Sequence, residues 1–418
     1  MHYFEYKDGG LFCEDVPLEK IADEVGTPFY CYSRKTLIRH FNVFDSAFEE
    51  IDHMVCFAVK ANSNIGVLHE LINAGAGCDV VSGGELYRAL KAGCEPQMIV
   101  FAGVGKTDEE IEYALESNIL MFNVESSQEL FAIDAAAART GKKARVALRI
   151  NPDVDPQTHP YISTGLKENK FGFNLDTAME EYRLAANMQN IEIVGVHQHI
   201  GSQITQVAPF VDALRKILGF VEGLADIGID LRYINLGGGL GITYQDESPP
   251  LPQELAKEIV PMLKKSGLTI IFEPGRMIAG NAGVLVSRVL YTKQNDGKSF
   301  VIADAAMNDL MRPTLYQARQ TIQPVNQNGL DRKKIEVDVV GPICESGDFL
   351  ARERLLPRVR QGDLLAVMSA GAYGFTMSSN YNSRRRVAEV LVDGGRYHVV
   401  RRRESMEDLV RGESLAGE

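Results

Sequence analysis

Between residues 54 and 273 the chain alternates short apolar, β-branched runs with longer helical ones, and it does so eight times. The short runs are "MVCFAV", "GCDVV", "MIVFAG", "ILMFNV", "ARVALRI", "IVGVHQHI", "LRYINL" and "LTIIFE". Between them stand amphipathic segments such as "NIGVLHELINAG", "GGELYRALKAG", "TDEEIEYALES" and "SSQELFAIDAAAART". Thr107 with Glu110, and Ser126 with Glu129, read as capping boxes that open two of these helices. Strands alternating with helices imply a parallel sheet. Eight units over about 220 residues fit a (β/α)8 TIM-type barrel, with an open doubly wound sheet as the alternative. The barrel is preferred because polar residues end several different strands, as a barrel site requires.

After "EPGR" (273–276) the rhythm changes. Short strands follow, with turns expected at Asn295-Asp296-Gly297 and Asp393-Gly394-Gly395. The fold class expected is therefore α/β, a barrel plus a mostly β second domain. The barrel is expected over 31–277, and residues 1–30 with 278–418 are expected to form the β-rich domain.

At 418 residues the chain is long enough for one large domain and one smaller one. Its 44 basic and 56 acidic residues give a net charge of −12, which disfavours nonspecific binding to nucleic acid or to an anionic membrane. The N-terminus "MHYFEYKDGG" has no apolar signal core, and no apolar run reaches transmembrane length, so a cytoplasmic location is expected. The six cysteines are scattered without a CxxC pair, which argues against a disulfide framework or a cysteine-based zinc site. Cys56 and Cys78 read as small core residues.

Chemistry in a barrel sits at the C-terminal ends of the strands. In "FAVKANSN" an apolar strand runs into Lys60, which is either solvated at the strand end or directed at a cofactor or substrate. "GGGLG" (237–241) is either a tight turn or a phosphate cradle, in which Gly237, Gly238 and Gly239 let backbone N–H groups approach an anion. Ser202 would add a hydroxyl, and no Walker lysine follows. His197 and His199 share a strand face, as a metal pair or with one ring packed on a flat ligand; a core role suits His197. Glu273 is followed by Pro274, Gly275 and Arg276, so it reads as half of a local ion pair or as the partner of a cationic ring nitrogen. Pyridoxal 5′-phosphate satisfies all of these together: an aldehyde for a lysine, a pyridine nitrogen for a carboxylate, and a phosphate.

"FAVKANSN", "HQHIGSQ", "LGGGLGI", "EPGR", "CESGD" and "GAYG", in this order, resemble the fold-type III pyridoxal-phosphate decarboxylases over nearly the whole chain. Within that family the pattern resembles the branch acting on meso-2,6-diaminopimelate in bacterial lysine biosynthesis. The resemblance implies a homodimer with active sites at its interface. It implies that Lys60 bonds the cofactor, His199 stacks on its ring, and Glu273 pairs with its nitrogen. Ser202, the three glycines and the "EPGR" loop would hold the phosphate. Arg276, Arg312 and Tyr316 would grip the distal carboxylate, and Tyr373 would touch cofactor and substrate. Cys344, as proton donor, and Glu345, reading the distal ammonium, would come from the partner subunit. Gln198, where a small residue is common, should point away from the site.

Three alternatives stay open. A decarboxylase for ornithine, arginine or a carboxylated polyamine would want acidic rather than arginine readers at the distal end. An amino-acid racemase leaves "CESGD" without a role. A non-catalytic binding protein does not need Lys60, Cys344 and Tyr373 together.

Overall fold

The computed structural model describes residues 2–155, 170–328 and 333–417. Eight parallel strands close into a barrel: β1 (His53–Ala58), β2 (Gly77–Val80), β3 (Ile99–Phe101), β4 (Met121–Val124), β5 (Ala144–Asn151), β6 (Ile191–His197), β7 (Tyr233–Asn235) and β8 (Thr269–Phe272). Each pairs with the next, and β8 returns to β1 with Ile271 opposite Met54. A two-residue strand, Phe173–Asn174, lies beside β5. Strands β2 and β4 are buried at every position. Covered by side chains on one face and by helices on the other, such strands read as continuous apolar runs.

The helices between them begin where the sequence predicts, though not always by the predicted bond. Thr107 and Glu110 form the full reciprocal capping box. Ser126 accepts the Glu129 N–H, but the Glu129 carboxylate is drawn elsewhere, to Lys106 Nζ at 2.6 Å and the Glu125 N–H at 2.9 Å. A buried ammonium outcompetes a cap.

The chain divides into two compact units. The barrel unit holds Ile38–Thr243 and Glu247–Ile278; the other holds Met1–Leu37, Tyr244–Asp246 and Ala279–Glu418. Strand Phe29–Ser33 belongs to the second unit, beyond the expected boundary at residue 30, because its backbone is paired on both sides there. It lies antiparallel to Gly283–Asn295 and parallel to Ala388–Asp393. Gly283–Asn295 and Lys298–Ala303 form the predicted hairpin, with Asp296 and Gly297 both at positive φ. Ala388–Asp393 and Arg396–Arg401 form the other. One core gathers Leu11, Leu18, Ile21 and Phe29 from the start of the chain with Val284, Val286, Val390 and Val392 from its later part.

Candidate active site

Lys60 sits in the single 3-10 turn Val59–Ala61 that follows β1. Its Nζ lies 2.5 Å from Oδ2 of Asp79, in β2. Burial pushes the Asp79 carboxyl up, the like charge of Glu273 adds to this, and Lys60 pulls it back, leaving it at about 7. The strand-end ammonium, on a side chain that keeps partial exposure, is therefore paired with a fully buried carboxyl.

Glu273, directly after β8, is the second buried charge. Its Oε1 accepts from Asn235 Nδ2 at 2.6 Å and from Asn123 Nδ2 at 3.2 Å. His197 Nε2 is 3.5 Å from the other oxygen. Burial alone would raise the Glu273 carboxyl; His197, Lys60 and the Asn235 amide reverse that and hold it below the ordinary glutamate range. His197 is thus more than a core residue: it stands against the buried anion. Asp79, Asn123 and Asn235 were not singled out from the sequence. The available signal was one polar residue near the end of each apolar run, in "GCDVV", "ILMFNV" and "LRYINL".

The glycine loop admits no side chain. A Cβ on Gly238 would lie 2.2 Å from the Glu273 carbonyl oxygen, and one on Gly237 would lie 2.6 Å from that of Gln198. Gly237 and Gly239 have φ of +66° and +126°. The Gly238 N–H donates to His199 Nδ1 at 3.2 Å, which leaves Nε2 to carry the proton of the neutral ring. Burial, then Arg149 and Lys60, push His199 well below its usual range. Arg149 is itself buried and donates to Glu125 Oε1 at 2.9 Å.

Arg276 donates to Ser202 Oγ at 2.9 Å, which ties the "EPGR" loop to the "HIGSQ" loop. Gln203 ties that loop in turn to the glycine loop, donating to the Ile242 carbonyl at 2.6 Å and accepting its N–H at 3.1 Å. Gln198 is buried and lines a small apolar pocket with Phe44, Phe210, Leu214, Phe272 and the three glycines. A Cβ on Gly275 would come within 3.0 Å of the Ala58 and Ala61 methyl carbons, so this loop packs directly under the Lys60 turn. The barrel unit therefore brings together Lys60, His199, Ser202, Gly237–Gly239, Glu273 and Arg276. It offers a cationic amine, a fixed anion and a backbone cradle, which fit the aldehyde, ring nitrogen and phosphate of a pyridoxal cofactor.

The second unit gathers the other expected residues. Arg312 opens the helix Arg312–Tyr316, and its guanidinium is 5.3, 5.5 and 5.9 Å from the ring centres of Tyr244, Tyr316 and Tyr373. Tyr373 is held at φ +54° beside Gly374, where a Cβ would meet the Ala370 carbonyl oxygen at 2.4 Å. Cys344 and Glu345 are exposed. The Cys344 N–H donates to Asn382 Oδ1 at 2.8 Å. Asp348 accepts the N–H groups of Ile343 and Met307, both at 2.8 Å, and Thr314 donates to the Gly347 carbonyl at 2.7 Å. The Cys344 loop is thereby fastened to the Arg312 helix. All six cysteines are free, and Cys344 is the exposed one.

The family model described as "Pyridoxal-dependent decarboxylase, pyridoxal binding domain" matches residues 34–280. The Diaminopimelate decarboxylase of Pseudomonas aeruginosa is 54% identical over 415 residues, covering 99% of this chain and 99% of that protein. The crystal structure of diaminopimelate decarboxylase from Helicobacter pylori complexed with L-lysine superimposes with a TM-score of 0.91 at 44% identity, over 94% of this chain and 98% of that one. The enzyme from M. jannaschii, in co-complex with L-lysine, does so with a TM-score of 0.93 at 40% identity, over 99% and 98%.

Proposed function

The chain belongs to the pyridoxal-dependent decarboxylases, and from that premise we propose that it is a carbon–carbon lyase converting meso-2,6-diaminopimelate to L-lysine and CO2, the last step of bacterial lysine biosynthesis. The observation that carries the chemistry is the placement at one end of the barrel of Lys60 on buried Asp79, with the ionised Glu273 behind a cradle of glycines. The substrate follows from full-length relatives named for it and from two similar enzymes solved with L-lysine bound.

Pyridoxal 5′-phosphate supplies an aldehyde that condenses with amines and a ring that accepts the electron pair left when CO2 departs. Lys60 would bind its aldehyde, Gly237, Gly238 and Gly239 with Ser202, Pro274, Gly275 and Arg276 would hold its phosphate, and neutral His199 would serve its ring. Glu273, held anionic by His197, Lys60 and the Asn235 amide, would keep its nitrogen protonated. Asp79, with its carboxyl near neutrality, is placed to hold or return a proton at Lys60 Nζ.

Arg312 and Tyr316, with Arg276, bind the distal carboxylate of the substrate, Glu345 its distal ammonium, and Tyr373 contacts both ligands. Cys344 delivers the proton that replaces CO2. Cys344 and Glu345 act on the partner subunit of a homodimer, which accounts for their exposure in the single chain. Among the described residues no helix is long and apolar enough to cross a membrane, and we assign the enzyme to the cytoplasm.

The test is CO2 release from meso-diaminopimelate, lysine, ornithine and arginine, with borohydride reduction of the holoenzyme. Diaminopimelate should be strongly preferred, and reduction should fix the cofactor on the peptide bearing Lys60. Preference for ornithine or arginine would defeat the substrate assignment. A colourless protein that takes up no added cofactor would defeat the cofactor assignment too.

A further inference from the structure

In the run "NSRRRV" (382–387), Asn382 alone has a part in the site described above, as acceptor of the Cys344 N–H. In the second unit its Arg384 and Arg385 line a cavity of about 320 Å³ together with Arg403, Ser383, Asp304 and Asp309. Among the described residues none of the three arginines is in an ion pair. Arg384 donates to the Asp304 carbonyl at 2.8 Å, while its Nε is buried without an acceptor. Arg403 donates to the carbonyls of Gly26 at 3.0 Å and Pro28 at 2.7 Å. Arg385 is exposed. Carbonyl oxygens satisfy the N–H groups but do not neutralise the charges.

The two carboxylates that line the cavity attract Arg384 and Arg403 but make their hydrogen bonds to other groups. Asp304 accepts from Thr27 Oγ1 at 2.6 Å and the Arg288 N–H at 2.8 Å; Asp309 accepts from the Ala306 N–H at 3.0 Å and Asn308 Nδ2 at 3.1 Å. Burial pushes both carboxyls up, Asp309 to about 7, so near neutral pH they supply less than two full negative charges. Burial and the neighbouring Arg385 push the Arg403 guanidinium down, and Asp304 and Asp309 offset this only in part.

We propose that the cavity lined by Arg384, Arg385, Arg403 and Ser383 binds a small phosphate-type oxyanion, free or as a phosphomonoester. Guanidinium groups recognise such oxygens through paired charge-assisted hydrogen bonds, and the Ser383 hydroxyl adds a donor.

The experiment titrates inorganic phosphate, and separately glycerol 3-phosphate, into the cofactor-loaded enzyme by calorimetry, with chloride matched for ionic strength. Loading the cofactor keeps its own phosphate cradle filled. One saturable site per chain is expected; tighter binding of the ester identifies an organic phosphate. Arg385→Ser should weaken binding roughly tenfold or more, since each hydrogen bond to a charged group is worth that much. Arg403→Lys, which keeps the charge but loses the fork, should weaken it too, and Arg385→Lys should keep most of it. No saturable binding to the wild type overturns the proposal, as it would if an acidic side chain of a second copy filled the cavity. Unchanged affinity in folded Arg385→Ser and Arg403→Lys overturns it as well.

Discussion

Asn235 Nδ2 lies 2.6 Å from Glu273 Oε1, closer than the 3.2 Å donor from Asn123, so a neutral amide joins His197 and Lys60 in keeping the barrel's buried glutamate ionised. Asn235→Asp would place a second carboxylate there. Two carboxylates at that distance share a proton, and Glu273 would be neutral part of the time. We expect kcat to fall by about two orders of magnitude, with Asn235→Ala losing about tenfold. Steady-state kinetics on folded, cofactor-loaded protein measure this; wild-type kcat in Asn235→Asp would remove Glu273 from the role given to it.

Gly238→Ala should separate the cradle from the rest of the site. Its Cβ would stand 2.2 Å from the Glu273 carbonyl, a backbone atom that cannot swing away. The loop must shift, at a cost of about 1–3 kcal/mol of stability, and cofactor affinity should drop more than tenfold. Cofactor content after dialysis reads this directly. Full retention would mean that the loop yields more easily than its packing indicates.

Arg312 should govern substrate choice without governing cofactor attachment. Its guanidinium is buried among three tyrosine rings, and losing one partner of a desolvated ion pair costs about 2–5 kcal/mol. Arg312→Ala should therefore lower kcat/KM for diaminopimelate by about 30- to 4,000-fold, at 1.4 kcal/mol per decade. Arg312→Lys should recover little, because an ammonium lacks the planar fork. Borohydride should still fix the cofactor on Lys60. Unchanged turnover in Arg312→Ala would move the distal carboxylate elsewhere.

If Cys344 serves a partner's site, Lys60→Ala and Cys344→Ala should complement. Each alone should be nearly inactive. Mixed under conditions of subunit exchange, they should regain roughly a quarter of wild-type activity, because a mixed dimer holds one intact site. Zero recovery despite proven exchange would put both residues to work within one chain.

Asp309 sets a pH dependence of stability. Burial raises its carboxyl from 3.8 to about 7. Between those values the folded chain holds a proton that the unfolded chain has released, so raising the pH favours unfolding. The destabilisation begins near the unfolded pKa, grows up to about pH 7, and stays complete above it, at an order of magnitude of a few kcal/mol. Asp309→Asn should flatten the fall in denaturation midpoint between pH 5 and 7.5. An unaltered slope would show that the carboxyl is not held protonated.

The barrel was legible because its strands are covered on both faces, which leaves eight apolar runs in the chain. Lys60 and the three glycines were legible for the same reason: each breaks an apolar run at its end, where a barrel does its chemistry. Asn123, Asn235 and Asp79 break such runs too, yet a single amide or carboxylate inside a short strand carries no local sign of what it faces. Only closure of the barrel brings Asn123 in β4 and Asn235 in β7 onto one Glu273 oxygen. A core role suits His197 in the sequence because nothing near it in the chain marks Glu273 as its neighbour. Strand Phe29–Ser33 stands immediately before the barrel unit in sequence and pairs instead with strands more than 250 residues later, a choice made by backbone pairing that no periodicity records.

That strand bears on how the protein is made. Phe29–Ser33 lies between Gly283–Asn295 and Ala388–Asp393, so it leaves the ribosome long before either neighbour exists. At typical elongation rates, on the order of tens of seconds pass before the later edge is available. The whole barrel is synthesised in that interval. Throughout it "FYCYS", buried at all five positions in the finished sheet, is an unpaired apolar strand on a nascent chain. Slow or stalled translation past residue 278 therefore lengthens the exposure of one short, sticky segment. Charged substitutions there would protect the nascent chain only by spoiling the sheet that it must later join.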